Sequence, residues 1–242
     1  MEAIKTIGLT KQYKDLVAVD AVDLEISQGE LFSLLGVNGA GKTTTIKMLT
    51  GLTRPTQGDA FVDGYSIIKE PLHAKRHLGV SPQETAVAPN LTVRENLALM
   101  GGIYGFSKAE IAEKIHTLAE QFGLVDILDK RAGKLSGGWQ RRLSIAMALI
   151  GEPRVLFLDE PTLGLDVLSR SELWDMIRNL KGKTTIVLTT HYMEEAQALS
   201  DRIGIMQKGQ LLVTGTAQEL MTQTGTGSLE EAFISIVRGA EK

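Results

Sequence analysis

Gly36-Val37-Asn38-Gly39-Ala40-Gly41-Lys42-Thr43 is the stretch on which the fold turns. Its pattern, G-x-x-x-x-G-K-[ST], has chemical content where an apolar strand runs into it and a helix leaves it. Both flanks are present. Leu31-Phe32-Ser33-Leu34-Leu35 precedes the loop, and a helix is predicted over 42–49, stopped by Gly51 and by Pro55 beyond it. Glycines let backbone N–H groups turn around phosphate oxygens, and the helix N-terminus adds its positive end. Lys42 can neutralise β- and γ-phosphates, and Thr43 offers a hydroxyl to Mg²⁺. The plain alternative is a tight glycine-rich turn between strand and helix.

Working outward, short apolar strands recur at 155–158, 185–189 and 203–206, with a helical pattern over 169–180 between the first two. Strands alternating with helices imply a parallel α/β sheet. Upstream, Val22, Leu24 and Ile26 alternate with Asp23 and Glu25, the period of a half-buried strand, and Ser27-Gln28-Gly29-Glu30 reads as a hairpin turn into 31–35. The middle differs, because 92–149 carries several helix signals and no convincing strand. Thr92-x-x-Glu95 and Ser107-x-x-Glu110 are capping boxes at the heads of apolar-periodic segments. This block is either additional helix around the sheet or a helical subdomain inserted into an α/β core.

Composition restricts the class. The chain has 242 residues, 43% hydrophobic and 23% charged, suited to one large domain with room for an insertion. The longest run without Asp, Glu, Lys or Arg is Asn96 to Ser107, twelve residues, short of the ~18 or more a membrane-spanning helix requires. Glu2, Lys5, Lys11 and Lys14 interrupt the N-terminal segment, so no secretory signal is expected. Without cysteine there is no disulfide framework and no thiolate metal site, which suits a reducing compartment. A net charge of −3 gives no reason to expect nucleic acid.

Two further stretches carry chemistry. Val155-Leu156-Phe157-Leu158 ends in Asp159-Glu160, a buried strand delivering adjacent acids to the crevice where ligands of α/β sheets bind. Asp159 can hold Mg²⁺ through its water shell, and Glu160 can orient or deprotonate an attacking water. Taken alone, a solvated strand end explains the pair equally well. Leu135-Ser136-Gly137-Gly138-Trp139-Gln140 opens a second helical segment, with Ser136 as N-cap. It is either an ordinary cap or a second anion-binding helix start.

In order and spacing, these motifs resemble those of ATP-binding cassette (ABC) ATPases across essentially the whole chain. The likeness rests on a Walker A loop, the Leu135-Ser136-Gly137-Gly138 signature, a Walker B strand ending in Asp159-Glu160, and Pro161-Thr162 with Gly164-Leu165-Asp166 after it. It implies a P-loop NTPase (RecA-like) α/β core over 1–83 and 153–242, an N-terminal antiparallel β subdomain, and an inserted α-helical signature subdomain over about 84–152. It also implies roles: His191 as the switch histidine, Gln83 as the Q-loop glutamine, and Tyr13 as the aromatic that stacks on adenine. Read from the residues alone, His191 is equally a cap after Thr190, Gln83 a loop residue and Tyr13 a core aromatic. One departure is visible, since the family commonly has Gln where Trp139 stands.

ATP and Mg²⁺ are the implied ligands. Gly36, Asn38, Gly39, Ala40, Gly41, Lys42, Thr43 and Thr44 would cradle the phosphates, and Thr43, Gln83 and Asp159 would serve the metal. Lys42, Gln83, Glu160 and His191 would carry hydrolysis. In the family, Ser136, Gly137 and Gly138 of one subunit face the nucleotide of another, implying a head-to-tail homodimer with two shared ATP sites. Leu91 to Leu97, Thr189 to Ala196, Asp201 to Met206 and Leu229 to Phe233 resemble bacterial and archaeal exporter ATPases of the drug-resistance and sodium-efflux group. The implied partners are integral membrane transporter subunits at the cytoplasmic face of the cell membrane. A soluble ABC factor and a non-hydrolysing regulatory module are the rival readings.

Overall fold

The computed structural model describes residues 1–240. In chain order, β1 (Glu2–Tyr13), β2 (Leu16–Ser27) and β3 (Leu31–Leu35) lead into α1 (Lys42–Leu49). Next come β4 (Gln57–Val62), β5 (Tyr65–Ser66), α2 (Pro71–Arg76) and β6 (Leu78–Ser81). The helices α3 (Val93–Ile103), α4 (Lys108–Gln121) and α5 (Gly137–Leu149) follow. Then β7 (Val155–Asp159), α6 (Val167–Arg178), β8 (Thr185–Thr190), α7 (Met193–Leu199), β9 (Arg202–Gln207) and β10 (Gln210–Gly215) precede α8 (Ala217–Thr224) and α9 (Leu229–Gly239).

The strands form two sheets. The smaller is antiparallel, in the order β2-β1-β4-β5, and the larger runs β10-β9-β3-β8-β7-β6. In the larger sheet only the β9–β10 pairing is antiparallel. This is the α/β P-loop fold with an antiparallel β layer beside it. The hairpin expected at Ser27–Glu30 does not form. β2 pairs with β1, whereas β3 lies between β8 and β9, so the turn at Gly29 (φ 76°) carries the chain from one sheet to the other. The alternation in 22–26 and the solid apolar run in 31–35 already differ in kind. A one-sided strand belongs to a sheet with one wet face, and an all-apolar strand to a sheet covered on both faces. Helix α6 begins two residues earlier than expected because Asp166 is its N-cap, accepting from the Ser169 N–H at 3.0 Å. Both capping boxes in the middle block form.

Strand alternation divides the core. Leu156, Leu158, Ile186 and Leu188 point toward the α3–α5 side, whereas Val155, Phe157 and Val187 pack with Phe32, Ile46 and the antiparallel layer. Each buried Leu or Phe contributes about 1.5–3 kcal/mol over exposure, so this two-faced burial holds the central strands in place. Helix α5 seats directly on β6. A Cβ built on Gly79 would stand 2.2 Å from the Ala148 carbonyl oxygen, a backbone atom that cannot yield. Gly79→Ala is therefore expected to destabilise the protein by about 1–3 kcal/mol, read as a lower urea midpoint at unchanged slope. An unchanged midpoint would show that the helix is free to shift.

Candidate functional site

The site is assembled at the carboxyl ends of β3, β7 and β8. In register, Leu35 lies opposite Thr190 and Asp159 opposite Thr189. The Gly36 N–H donates to the Thr190 carbonyl at 3.2 Å, stitching the phosphate-type loop to β8 where it begins. Gly41 caps α1 at φ 106°, and a Cβ there would meet the Ala18 carbonyl oxygen at 2.5 Å. No residue but glycine fits both constraints. Among the described residues, the N–H groups of Gly39, Gly41, Lys42, Thr43 and Thr44 have no protein acceptor, and α1 has no side-chain cap. Donors gathered at a helix start in this way are completed by an anion.

Lys42 lies inside this loop, 5% exposed. Its Nζ donates to the carbonyls of Gly36 at 2.7 Å and Val37 at 3.2 Å, and Glu160 Oε1 is 3.6 Å away. Burial holds the Lys42 ammonium below the usual lysine range, with Glu160 and Asp159 opposing the shift. Asp159 Oδ1 accepts from Thr43 Oγ1 at 3.1 Å and from Thr189 Oγ1 at 2.5 Å. Thr43 and Asp159 are thus joined directly. Glu160 adopts a left-handed φ of 47°, uncommon outside glycine and concentrated at functional positions. Its Oε1 lies 3.2 Å from His191 Nδ1.

A cleft of about 710 Å³ collects Tyr13, Asn38, Gly39, Ala40, Gly41, Lys42, Thr43, Thr44, Gln83, Glu160 and His191. Tyr13 ends β1 at one wall, 43% exposed, beside Leu16 and Val17, with Lys11 Nζ 5.0 Å from its ring centre. Gly36, where the loop begins, does not line this cleft. A slightly larger cavity, about 750 Å³, lies by α4 and the loop before β7, and none of these residues lines it.

Ser136, Gly137 and Gly138 do not line the cleft. They start α5, with Ser136 and Gly137 exposed, and the Ser136 hydroxyl makes no capping bond. Ser136 is at the N-cap position, as expected, but its side chain does not cap the helix. Trp139 is half-buried against the core of the helical block, and Arg142 lies 4.5 Å over its ring while pairing with Glu172. The departure at this position serves packing of the signature helix.

Some site residues gave no sequence signal. Thr189 reads as the last member of an apolar strand, yet it serves Asp159 and also accepts the Glu160 N–H at 3.0 Å. Arg141, 4% exposed on α5, donates to the carbonyls of Pro82 at 2.6 Å and Gln83 at 2.5 Å. It fixes the Gln83 loop against the signature helix. Lys208 lines the cleft from the β9–β10 turn.

Residues 19–163 match the ABC transporter family. The chain belongs to that family. It is 43% identical to the daunorubicin/doxorubicin resistance ATP-binding protein of Streptomyces peucetius, over 94% of this chain and 69% of that protein. It is 40% identical to a probable multidrug ABC transporter ATP-binding protein of Escherichia coli, over 99% of this chain but only 42% of that protein. Among solved structures, an ATP-binding subunit of an ABC transporter superposes with a TM-score of 0.87 at 30% identity, covering 97% of this chain and 99% of that one. A dimeric ATP-binding cassette in a post-hydrolysis state with ADP and Pi gives 0.79 at 26% identity, covering 88% and 98%. This ABC chain accordingly binds and hydrolyses ATP. Among the described residues, no helix is long and apolar enough to cross a membrane.

Proposed function

We propose that this ABC ATPase is the energy-supplying subunit of a membrane exporter, peripheral at the cytoplasmic face and working as a head-to-tail homodimer. The observation that carries the dimer is the position of Ser136 at an exposed helix start whose hydroxyl is not spent on the cap, away from the cleft of its own chain. A second copy turned head to tail would bring that helix start to the γ-phosphate held at Lys42. A phosphate bridging two chains favours the closed dimer, and hydrolysis removes the bridge. The dimeric state of the cassette noted above supports a dimer here.

Within one chain, Tyr13 would stack on adenine, and Gly36 together with 38–44 would take the phosphates through backbone N–H groups and Lys42. Glu160 would orient and deprotonate the attacking water, with His191 holding that carboxylate and Gln83 positioned across the cleft. The donor set fits Mg²⁺: one hydroxyl, Thr43, is bonded to one carboxylate, Asp159, and no cluster of three or more His, Cys, Asp or Glu is present among the described residues. That is the sparse set expected of a metal completed by phosphate and water, with Gln83 as a further oxygen. Mg²⁺ would supply charge neutralisation between the phosphates. We assign the nucleotide core to 1–83 and 153–242 and the helical subdomain to about 84–152.

Docking on membrane subunits would use the surface of Gln83 and the following segment to Phe106. Leu99, Ile103 and Tyr104 on and just after α3 support it, being 49%, 69% and 36% exposed. The drug-resistance name of one relative and the multidrug-transporter name of the other support export. The test is purification of the tagged chain from detergent-extracted membranes. Recovery with an integral membrane protein at constant ratio is expected. Recovery solely in the soluble fraction would favour a soluble ABC factor.

A further inference from the structure

We propose that Glu195 is a positioning residue for hydrolysis, a buried brace that holds the loop following Glu160 against the helix that follows His191. Glu195 lies in the first turn of α7 and is wholly buried. Its Oε1 accepts from Thr162 Oγ1 at 2.8 Å and from Trp174 Nε1 at 3.1 Å. Thr162 follows Glu160 by two residues, and Glu195 itself follows His191 by four. One carboxyl therefore ties the loop after Glu160 to the helix that follows His191, and Trp174 anchors the knot to α6.

The cost of this arrangement argues that it is there for position. Among the described residues, Glu195 Oε2 has no hydrogen-bond partner. Burial pushes the carboxyl above its usual range, while Thr190, Thr162, Trp174 and, at longer range, Arg170 pull against it. Arg141 of α5 also feels its charge. A buried polar atom left unpaired is expensive, and an apolar side chain would fill the space at less cost. What the apolar replacement would lack is an oxygen to hold Thr162 against α7. A misplacement of about 1 Å at a reacting pair lowers rate by up to ~10²-fold, so a brace two residues from Glu160 has leverage on turnover.

This inference rests on Glu160 and His191 acting on ATP. Steady-state ATPase kinetics of the full chain test it. Glu195→Ala is expected to lower kcat by about 10-fold or more with KM for ATP changed less than about 2-fold. Glu195→Gln, which keeps an oxygen for Thr162 and Trp174, should restore kcat to within about 3-fold of wild type. Thr162→Val removes one bond without opening a cavity, and it should lower kcat at unchanged KM while the melting temperature falls by only a few degrees, leaving the protein folded at the assay temperature. Should Glu195→Ala not fold, the Thr162→Val and Glu195→Gln pair decides. Wild-type kcat in Thr162→Val, or a Gln variant as impaired as the Ala variant, would overturn the brace. Glu160→Gln run alongside separates the two claims: turnover lost there but intact in the Glu195 and Thr162 variants sinks only the brace, and turnover intact in Glu160→Gln sinks the reading beneath it.

Discussion

Glu160→Gln is expected to reduce ATP turnover by about 10²–10⁴-fold, the range associated with loss of a positioned general base. The substitution keeps size and one oxygen while removing the proton acceptor. Glu160 reaches its place by a left-handed backbone turn directly after β7, and there its Oε1 lies 3.2 Å from His191 Nδ1 and 3.6 Å from Lys42 Nζ. His191 and Lys42 thus flank the carboxylate and fix where it points. The phosphate-binding parts do not depend on it, because the unpaired N–H groups of the loop belong to the backbone. Nucleotide affinity should stay within a few-fold of wild type while single-turnover hydrolysis collapses, and ATP should accumulate in a closed dimer visible by size-exclusion chromatography. Wild-type turnover in this variant would remove Glu160 from its role.

The second large effect is complementation between two inactive chains. Ser136→Ala and Lys42→Ala should each be severely impaired alone, since in a head-to-tail dimer each damages both shared sites. In a mixed dimer, the site built from the intact Lys42 of one chain and the intact Ser136 of the other is whole, and the remaining site carries both lesions. Equal mixing makes half of the dimers mixed with one whole site of two, so about a quarter of wild-type sites return if dimers exchange freely. Activity rising on mixing to that level, followed by a coupled ATPase assay against the mixing ratio, is the expected result. Activity equal to the average of the separate variants would sink the composite site. Complementation requires the Ser136 helix start to lie outside its own chain's cleft, which it does.

Much of the site was legible because its chemistry is local. A phosphate loop needs glycines, a lysine and a hydroxyl within eight consecutive residues, so Gly36 to Thr43 could be read as a unit and Lys42–Leu49 as its helix. Asp159-Glu160 was legible for the same reason, as the polar end of an apolar strand. Gln83, His191 and Tyr13 were visible only through family resemblance, because each is a single residue whose meaning depends on what lies across the cleft. Thr189, Arg141 and Glu195 were not legible. Thr189 hides in an apolar run, Arg141 sits in a helix where exposed arginines are ordinary, and Glu195 follows another glutamate in what reads as a charged first turn.

Periodicity and motif spacing by themselves determined the class of fold, the phosphate-binding loop, the carboxylate pair and the helical character of the middle block. These properties are written in neighbouring residues, through strand alternation, helix caps and the backbone freedom of glycine. Tertiary structure decided which strands pair, sending β3 to the parallel sheet instead of folding it back on β2. It also decided that the second helix start stands apart from the cleft of its own chain, and that Thr189 and Arg141 support groups some 30 and 58 residues away in sequence. Long-range hydrogen bonds and two-sided burial carry no local signature, since they depend on which faces the closed sheet brings together.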